Sequence, residues 1–349
     1  MSSFFDPFTK FLIVTIIAIF IVVGWLSGGT FLDIYNIQSM GFQMAEIGLL
    51  SFAMMLAMMS GNSGIDLSVV GIAILSSVFA GLIATILVGS DAPALFTLVF
   101  IIAAIFMGLL CGALNGFLIA IVGYTPILAT LGSQLVFLGI SVGLTGGAAM
   151  TFKYSQEFTY LGNEMVAGIP IPIIILTLAT LFIVVVLEVM PFGKRYTLMG
   201  TNPLAARFAG LDTKRLVIIT YTLTGLFAGL AGVIMSSRSN GVKWDYGSSY
   251  LLIAILTVVM AGVHPNGGKG RVVNVVLASI ALQLLSSTFS ILEFPAYLNP
   301  SFLKDFTWGL LLIVSIAVPK LLSASAFPSI LFSKTENSEP EGGAKTAKP

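Results

Sequence analysis

Chemistry in this chain has to come from very few groups. Among its 349 residues there is one histidine, His264, and one cysteine, Cys111. His264 stands in VHPNGGKG without a second ligand nearby in sequence, whereas a zinc site takes about three protein ligands. No HExxH, GxSxG or GxGD pattern couples a nucleophile to a base. The stretch GGKG is not a phosphate-binding loop, because the GxxxxGK(S/T) pattern needs Gly at 263 and Ser or Thr at 270. The chain has Val263 and Gly270 there. Cys111 lies in an apolar run and has no partner for an intrachain disulfide. These residues point away from an enzyme.

The polar groups that remain interrupt long apolar runs. Ser60 to Gly71, SGNSGIDLSVVG, places Asn62, Ser63, Asp66 and Ser68 between LLSFAMMLAMM and IAILSSVFAGLIATILV. Asn115 sits in GALNGFL, and Thr130, Ser133 and Gln134 in LATLGSQL. Ser63 and Asp66 have capping-box spacing, so Asp66 reads first as a helix cap beside a favourable helix dipole, and only second as a binding acid. Glu46, in QMAEIGLLSF, lies deepest in an apolar segment. A charge there costs about 2.5–3.5 kcal/mol on insertion scales and belongs in the bundle interior, along a hydrophilic path or at a subunit contact. Glu188 and Glu293 fall at segment ends and read as interfacial.

The elements that carry these residues must be membrane helices. The sequence is 57% hydrophobic and 9% charged, with a mean hydropathy of +1.04, against about 25% charged residues in soluble domains. In lipid, only helices or closed barrels satisfy the backbone, and runs such as FLIVTIIAIFIVVGWL lack the alternation of barrel strands. The expected fold is an all-α polytopic bundle. Ten apolar segments are expected, near 11–27, 40–59, 67–88, 94–122, 126–150, 171–190, 215–236, 250–263, 271–292 and 303–320. The eighth is short for a full crossing, and the first reads as a retained helix rather than a signal peptide.

With the amino terminus inside, both termini are cytoplasmic. Twelve basic residues then lie inside, including Lys10, Lys194, Arg195, Arg207, Lys214, Arg215, Lys269 and Arg271. Four lie outside, namely Lys153, Arg238, Lys243 and Lys304, as the positive-inside rule requires. Trp25, Trp244 and Trp308 are expected at the outer interface. Residues 1–332 form one transmembrane domain, and the polar tail 333–349 is expected to be disordered.

One inner connection, 191–215, is longer and more structured than the others. Asn202 caps a short helix, Pro203 fills its first turn, LAARF forms it and Gly210 closes it. Glycines 225, 229 and 232 in TGLFAGLAG read as close helix packing.

The stretch FGKRYTLMGTNPLAARFAGLDTKRL, followed by TYTLTGLFAGLAGV, resembles the coupling region of bacterial permease subunits of ATP-driven sugar importers. These are the ribose-, galactose- and autoinducer-type permeases, related to the branched-chain amino-acid permeases. SGIDLSVVG, TPILATLGSQLVFLGISVGLTGG and AGVHPNGGKGRVV follow the same family order over roughly residues 40–320. The resemblance implies an inner-membrane permease dimer, a cytoplasmic ATPase that uses ATP and Mg on each subunit, and a periplasmic binding protein that delivers the solute. It makes Asn202, Pro203, Leu204, Ala205, Ala206, Arg207 and Gly210 the ATPase-coupling helix.

The resemblance also implies a pathway for an uncharged polyhydroxylated solute. Neutral groups should line it: Asn62, Ser63, Ser68, Asn115, Thr130, Ser133 and Gln134, with Asp66 among them. The chain departs from the family in having Leu204 where an acid is usual. It also has Ser63 for a glycine, Val70 with Gly71 one place late, and Ala261 before Gly262. These departures fit a subunit that pairs with a different second permease. The alternatives are an ion-coupled secondary transporter, which would need Glu46 as its buried acid, and a non-transporting scaffold or an exporter.

Overall fold

The computed structural model describes residues 6–89, 92–152, 156–292 and 299–325. Glu293, Lys153 and the tail 333–349 lie outside the described residues. Among the described residues thirteen α-helices run in order: α1 Pro7–Leu26, α2 Ile34–Met59, α3 Val69–Leu87, α4 Pro93–Phe117, α5 Pro126–Thr145, α6 Gln156–Asn163, α7 Ile171–Val184, α8 Pro191–Thr201, α9 Pro203–Phe208, α10 Thr213–Ser239, α11 Tyr250–Met260, α12 Val272–Ile291 and α13 Pro300–Ser325. Among the described residues eight segments are long and apolar enough to cross a membrane. Two of these are α4 and α7, each prolonged by a π-helical turn, at Leu118–Val122 and Val185–Val189. The only strands among the described residues are four of two residues each, paired antiparallel as Met150–Thr151 with Gly241–Val242 and Met165–Val166 with Ile169–Pro170.

Each expected apolar segment falls on a helix, with shifts that have local causes. α2 begins at Ile34 rather than near 40, because Asp33 caps it by accepting from the Tyr35 N–H at 3.0 Å. α10 likewise begins at Thr213, where Asp212 accepts from the Arg215 N–H. α5 stops at Thr145, followed by Gly146 and Gly147 at φ 63° and 76°. α11 has eleven residues, which at 1.5 Å per residue cover only about 16 Å of a hydrocarbon core about 30 Å thick. The eighth segment is therefore a partial helix, as expected.

α2, α3 and α10 form the buried centre, with α4 laid along α10. Large parts of α1, α5 and α7 face outward. Without a hydrophobic drive between helices in lipid, contact comes from small residues that let backbones approach. Gly108, Gly112 and Gly116 of α4 meet Gly225, Gly229 and Ile218 of α10 in this way. A Cβ added at Gly112 would stand 2.9 Å from the Gly225 Cα, and one at Gly229 2.9 Å from the Ala104 carbonyl oxygen. Gly232 makes the corresponding approach to Ala73 and Ser77 of α3. The expected packing role of the α10 glycines holds, with a matching glycine row on α4.

At the opposite end of this pair, Phe96, Phe100, Phe152 and Phe158 cluster with ring centroids 4.5–6.2 Å apart. They seat the short α6 against α4. One tryptophan departs from expectation. Trp308 is not an interfacial indole but is buried among Ile47, Ile253, Leu256 and Leu282, whereas Trp25 and Trp244 are exposed. α13 turns its Trp308 face toward α11 and α2, which sequence hydropathy could not orient.

Gly112→Leu should overpack the α4–α10 contact and lower stability by about 2 kcal/mol or more. Gly132→Ala, on an open face of α5 with nothing within 4 Å of the added Cβ, should leave it unchanged or slightly raised. Thermal unfolding of the two purified variants in detergent checks the contrast; equal melting temperatures would contradict the packing.

Candidate functional site: the helix break and the 191–215 loop

A polypeptide that leaves helical geometry between two membrane helices exposes the last carbonyls of one and the first N–H groups of the next. Between α2 and α3 the chain does this over Ser60–Ser68, with Gly61, Asn62 and Ser63 at φ 85°, 56° and 57°. Side chains of α5 take up part of the lost bonds. The Thr130 hydroxyl of α5 accepts from the Leu67 N–H at 3.0 Å, and its oxygen lies 3.2 Å from the Ile65 carbonyl oxygen. Gln134 Oε1, one turn further along α5, accepts from the Gly71 N–H at 2.9 Å.

Asp66 is the hub of this arrangement. It is fully buried. Its Oδ1 accepts from the Ser68 N–H at 2.9 Å and from the Ser68 hydroxyl at 2.6 Å, while Oδ2 accepts from the Thr224 hydroxyl of α10 at 3.1 Å. Asn115 of α4 donates in turn to Ser68 Oγ at 2.7 Å. One carboxylate thus ties the start of α3 to α4 and α10.

The capping-box expectation needs correction. α3 starts at Val69 with Ser68 as its boundary residue, and Ser63 is in the left-handed region, exposed and five residues too early. Asp66 does stabilise the helix start, but through an Asx-type turn to Ser68. Of the other polar residues singled out from sequence, Ser133 bonds back to the Thr130 carbonyl at 3.1 Å. Asn62 is exposed and, with Ser60, Met199, Pro203, Lys214 and Tyr221, lines a cavity of about 260 Å³. Asp66, Ser68, Asn115, Thr130 and Gln134 are therefore brought to the break, Asn62 and Ser63 lie at its exposed edge, and Ser133 stays on its own helix. Thr224 joins the network without having been picked out; nothing in TYTLTGLF marks it beyond a hydroxyl among glycines.

The 191–215 loop folds as its residues dictate. Asn202 Oδ1 accepts from the Ala205 N–H at 2.9 Å, Pro203 opens α9, and Gly210 follows it at φ 82°. Ala206 is buried, while Leu204, Ala205, Arg207 and Phe208 are exposed, Phe208 to 84%. The preceding α8 is anchored by Tyr196, whose buried hydroxyl donates to the Leu56 carbonyl at the end of α2.

Gly200 of α8 then meets the helix break and the NGGKG loop backbone to backbone. A Cβ on Gly61 would stand 2.7 Å from the Gly200 carbonyl oxygen, and one on Gly267 2.5 Å from the same atom. The Gly268 N–H donates to the Met59 carbonyl at 3.2 Å. Three glycine-bearing stretches that are far apart in sequence thus share one junction.

Glu46 is fully buried halfway along α2. Arg238, at the end of α10, reaches it with Nη1 2.6 Å from Oε1. The acid is matched by a cation within the same chain, in the bundle interior where the cost of an isolated charge predicts it. His264 accepts from the Asn266 N–H at 3.1 Å within its own turn. Among the described residues no group of three His, Cys, Asp or Glu is placed to hold a metal ion.

Broken membrane helices joined to a structured polar loop define a membrane permease component. Residues 25–316 match the family model described as branched-chain amino acid transport system / permease component. The chain is 32% identical over 307 residues to the ribose import permease protein of Bacillus subtilis (strain 168), covering 88% of this chain and 91% of that one. It is 29% identical over 323 residues to the D-allose transport system permease protein of Escherichia coli (strain K12), covering 92% and 94%. It is 28% identical over 275 residues to an autoinducer 2 import system permease protein of Yersinia enterocolitica, covering 77% and 80%. The chain belongs to this permease family.

Asp66→Ala should strand the two Ser68 donors and cost about 3 kcal/mol, against about 1 kcal/mol for Thr224→Val, whose hydroxyl is shared between Asp66 Oδ2 and the Tyr221 carbonyl. The double variant should cost less than the sum of the two, because they share one bond. Chemical unfolding of the four forms measures this, and strict additivity would sink the hub. Arg238→Ala should cost about 3 kcal/mol by leaving Glu46 buried and uncompensated, at the low end for a buried pair because the guanidinium side keeps 21% exposure. Glu46→Gln/Arg238→Gln should recover much of that loss in the same unfolding assay.

Proposed function

We propose that this chain is the membrane-spanning permease subunit of an ATP-driven importer, forming the path for a monosaccharide or similar small polar solute. Its relatives are named as permeases for ribose, allose and autoinducer 2. ATP is hydrolysed by a separate cytoplasmic subunit that uses Mg, and a periplasmic protein brings the solute. The protein sits in a bacterial inner membrane with both termini in the cytoplasm, and one domain spans residues 1–332.

The observation that carries the coupling assignment is α9. It is capped by Asn202, presents Leu204, Ala205, Arg207 and Phe208 outward, and begins three residues after Gly200 of the Gly200–Gly61–Gly267 junction. Leu204 and Phe208, four residues apart on α9 and both exposed, share an apolar edge suited to a partner, here the ATPase. Ala206 supports the helix from its buried side. In the same reading Asn62 and Ser63 contact solute at the mouth of the break, while Asp66, Ser68, Asn115, Thr130, Ser133 and Gln134 shape the wall. The departures at Leu204, Ser63 and Val70 support pairing with a different second permease. The ion-coupled alternative loses its acid, because Glu46 is held by Arg238.

Phe208→Asp combined with Leu204→Asp should abolish solute uptake and ATPase co-purification while leaving the melting temperature of the permease within a few degrees. Uptake by the coupled system should also stop when the partner ATPase is inactivated and survive a protonophore. Normal uptake in the double variant would refute the coupling helix, and collapse under the protonophore would move the protein to the secondary transporters.

A further inference from the structure

Between the amino-terminal ends of α1 and α12 lies a cavity of about 400 Å³, walled by Asp6, Phe8, Thr197, Lys269, Arg271 and Asn274. Its charge is one-sided. Neither Lys269 nor Arg271 forms an ion pair with any described carboxylate, and Asp6 is the one acid in the wall. Both helices begin here without a side-chain cap, so their first N–H groups add partial positive charge at the same place. The walls are fixed to one another. The Thr9 hydroxyl donates to Asn274 Oδ1 at 2.7 Å, and the Asn274 amide donates to the Ala261 carbonyl at 3.2 Å, joining α1, α12 and the end of α11. On the outer side Phe8 opens an exposed apolar stripe that continues along α1 through Phe11, Val14, Ile17 and Ile21.

We propose that this cavity binds the phosphate of an anionic membrane lipid, with an acyl chain lying along the α1 stripe. Two unpaired cations and two uncapped helix starts suit a phosphate diester, and the adjoining apolar stripe favours lipid over free phosphate. Basic pockets between membrane helices on the cytoplasmic side take lipid head groups for this reason. That this face is cytoplasmic rests on the orientation proposed above. The cavity also touches Thr197 of α8, the helix that carries Gly200 into the junction with the break, so an occupied site braces the coupling segment.

The test uses the full chain, purified in detergent, stripped of lipid and offered phosphatidylglycerol or phosphatidylcholine, with bound lipid counted by native mass spectrometry. Wild type should retain phosphatidylglycerol and not phosphatidylcholine. Lys269→Gln/Arg271→Gln should weaken that retention about thirtyfold, at about 1 kcal/mol per cation. The charge-matched Lys194→Gln/Arg215→Gln should keep it, and Asp6→Asn should tighten it several-fold. Equal retention of phosphatidylcholine, or unchanged phosphatidylglycerol binding in the Lys269/Arg271 variant, would overturn the site. Displacement of the lipid by millimolar inorganic phosphate would overturn the lipid assignment in favour of a free anion. Should the double variant fail to fold, Asp6→Asn decides: no gain in retention refutes the proposal. Lipid counting in detergent does not depend on which side of the membrane the cavity faces, so its failure is separable from failure of the orientation.

Discussion

The irregular start of α3 depends on one buried carboxylate, Asp66. A break between membrane helices leaves N–H and C=O groups that lipid cannot satisfy, and between α2 and α3 replacement bonds come from Asp66 and from Thr130 and Gln134 of α5, with Asn115 of α4 and Thr224 of α10 holding the Asp66–Ser68 pair. Asp66 accepts three hydrogen bonds. A carboxylate suits the position because all three partners are donors and because charge-assisted bonds are the strong ones in a low-dielectric interior. An amide at the same place would turn one acceptor into a donor facing the Thr224 hydroxyl. The chain thereby fixes the relative placement of α3, α4 and α10 around an irregular segment that would otherwise be the weakest part of the molecule.

The second constraint is close backbone approach. It appears along α4 and α10, where glycine rows let two long helices touch, and again where Gly61, Gly200 and Gly267 meet. The two uses differ in consequence. Along α4 and α10 it creates a rigid pair. At the junction it leaves no side chain between α8 and the break, so there is nothing compliant to absorb a displacement of the loop before it reaches Asn62 and Ser63. The Tyr196 hydroxyl on the Leu56 carbonyl adds a second tie between α8 and the end of α2. In the coupling proposed above, such stiffness carries a small push at α9 to the break.

Much of this was legible in the sequence wherever the signal was local. Asn202-Pro203 and Gly210 specify α9 because capping and positive φ act over a few residues, and the ten apolar segments declare themselves by hydropathy. The short α11 was legible for the same reason, since too few apolar residues separate Tyr250 from the loop that follows. The signal failed where partners are distant. Trp308 reads as an interfacial indole until α13 is placed against α2 and α11. Ser63 reads as a capping-box residue until the chain direction at Gly61–Ser63 is known. Glu46 and Arg238 stand 192 residues apart, and nothing in either neighbourhood announces the other. α2 starts before the hydropathy signal does, because Asn36 and Gln38 dilute its first turns, and Asp33 is the local marker of its true start.

The same network limits which polar groups remain for a solute. Both Asp66 oxygens, the Ser68 hydroxyl, Thr130 Oγ1 and Gln134 Oε1 are already bonded within the chain. Drawing any of them onto a sugar hydroxyl would unmake a bond that holds the break, a cost of about 1–3 kcal/mol for each buried group left unpaired. Asn62 and Ser63 carry no such obligation and are exposed at its edge. In the proposed pathway a wall of satisfied polar groups is a better lining than a set of free ones, because it offers a passing solute weak contacts without holding it. Selection then falls to the protein that delivers the solute, and release is not slowed by tight binding in the path.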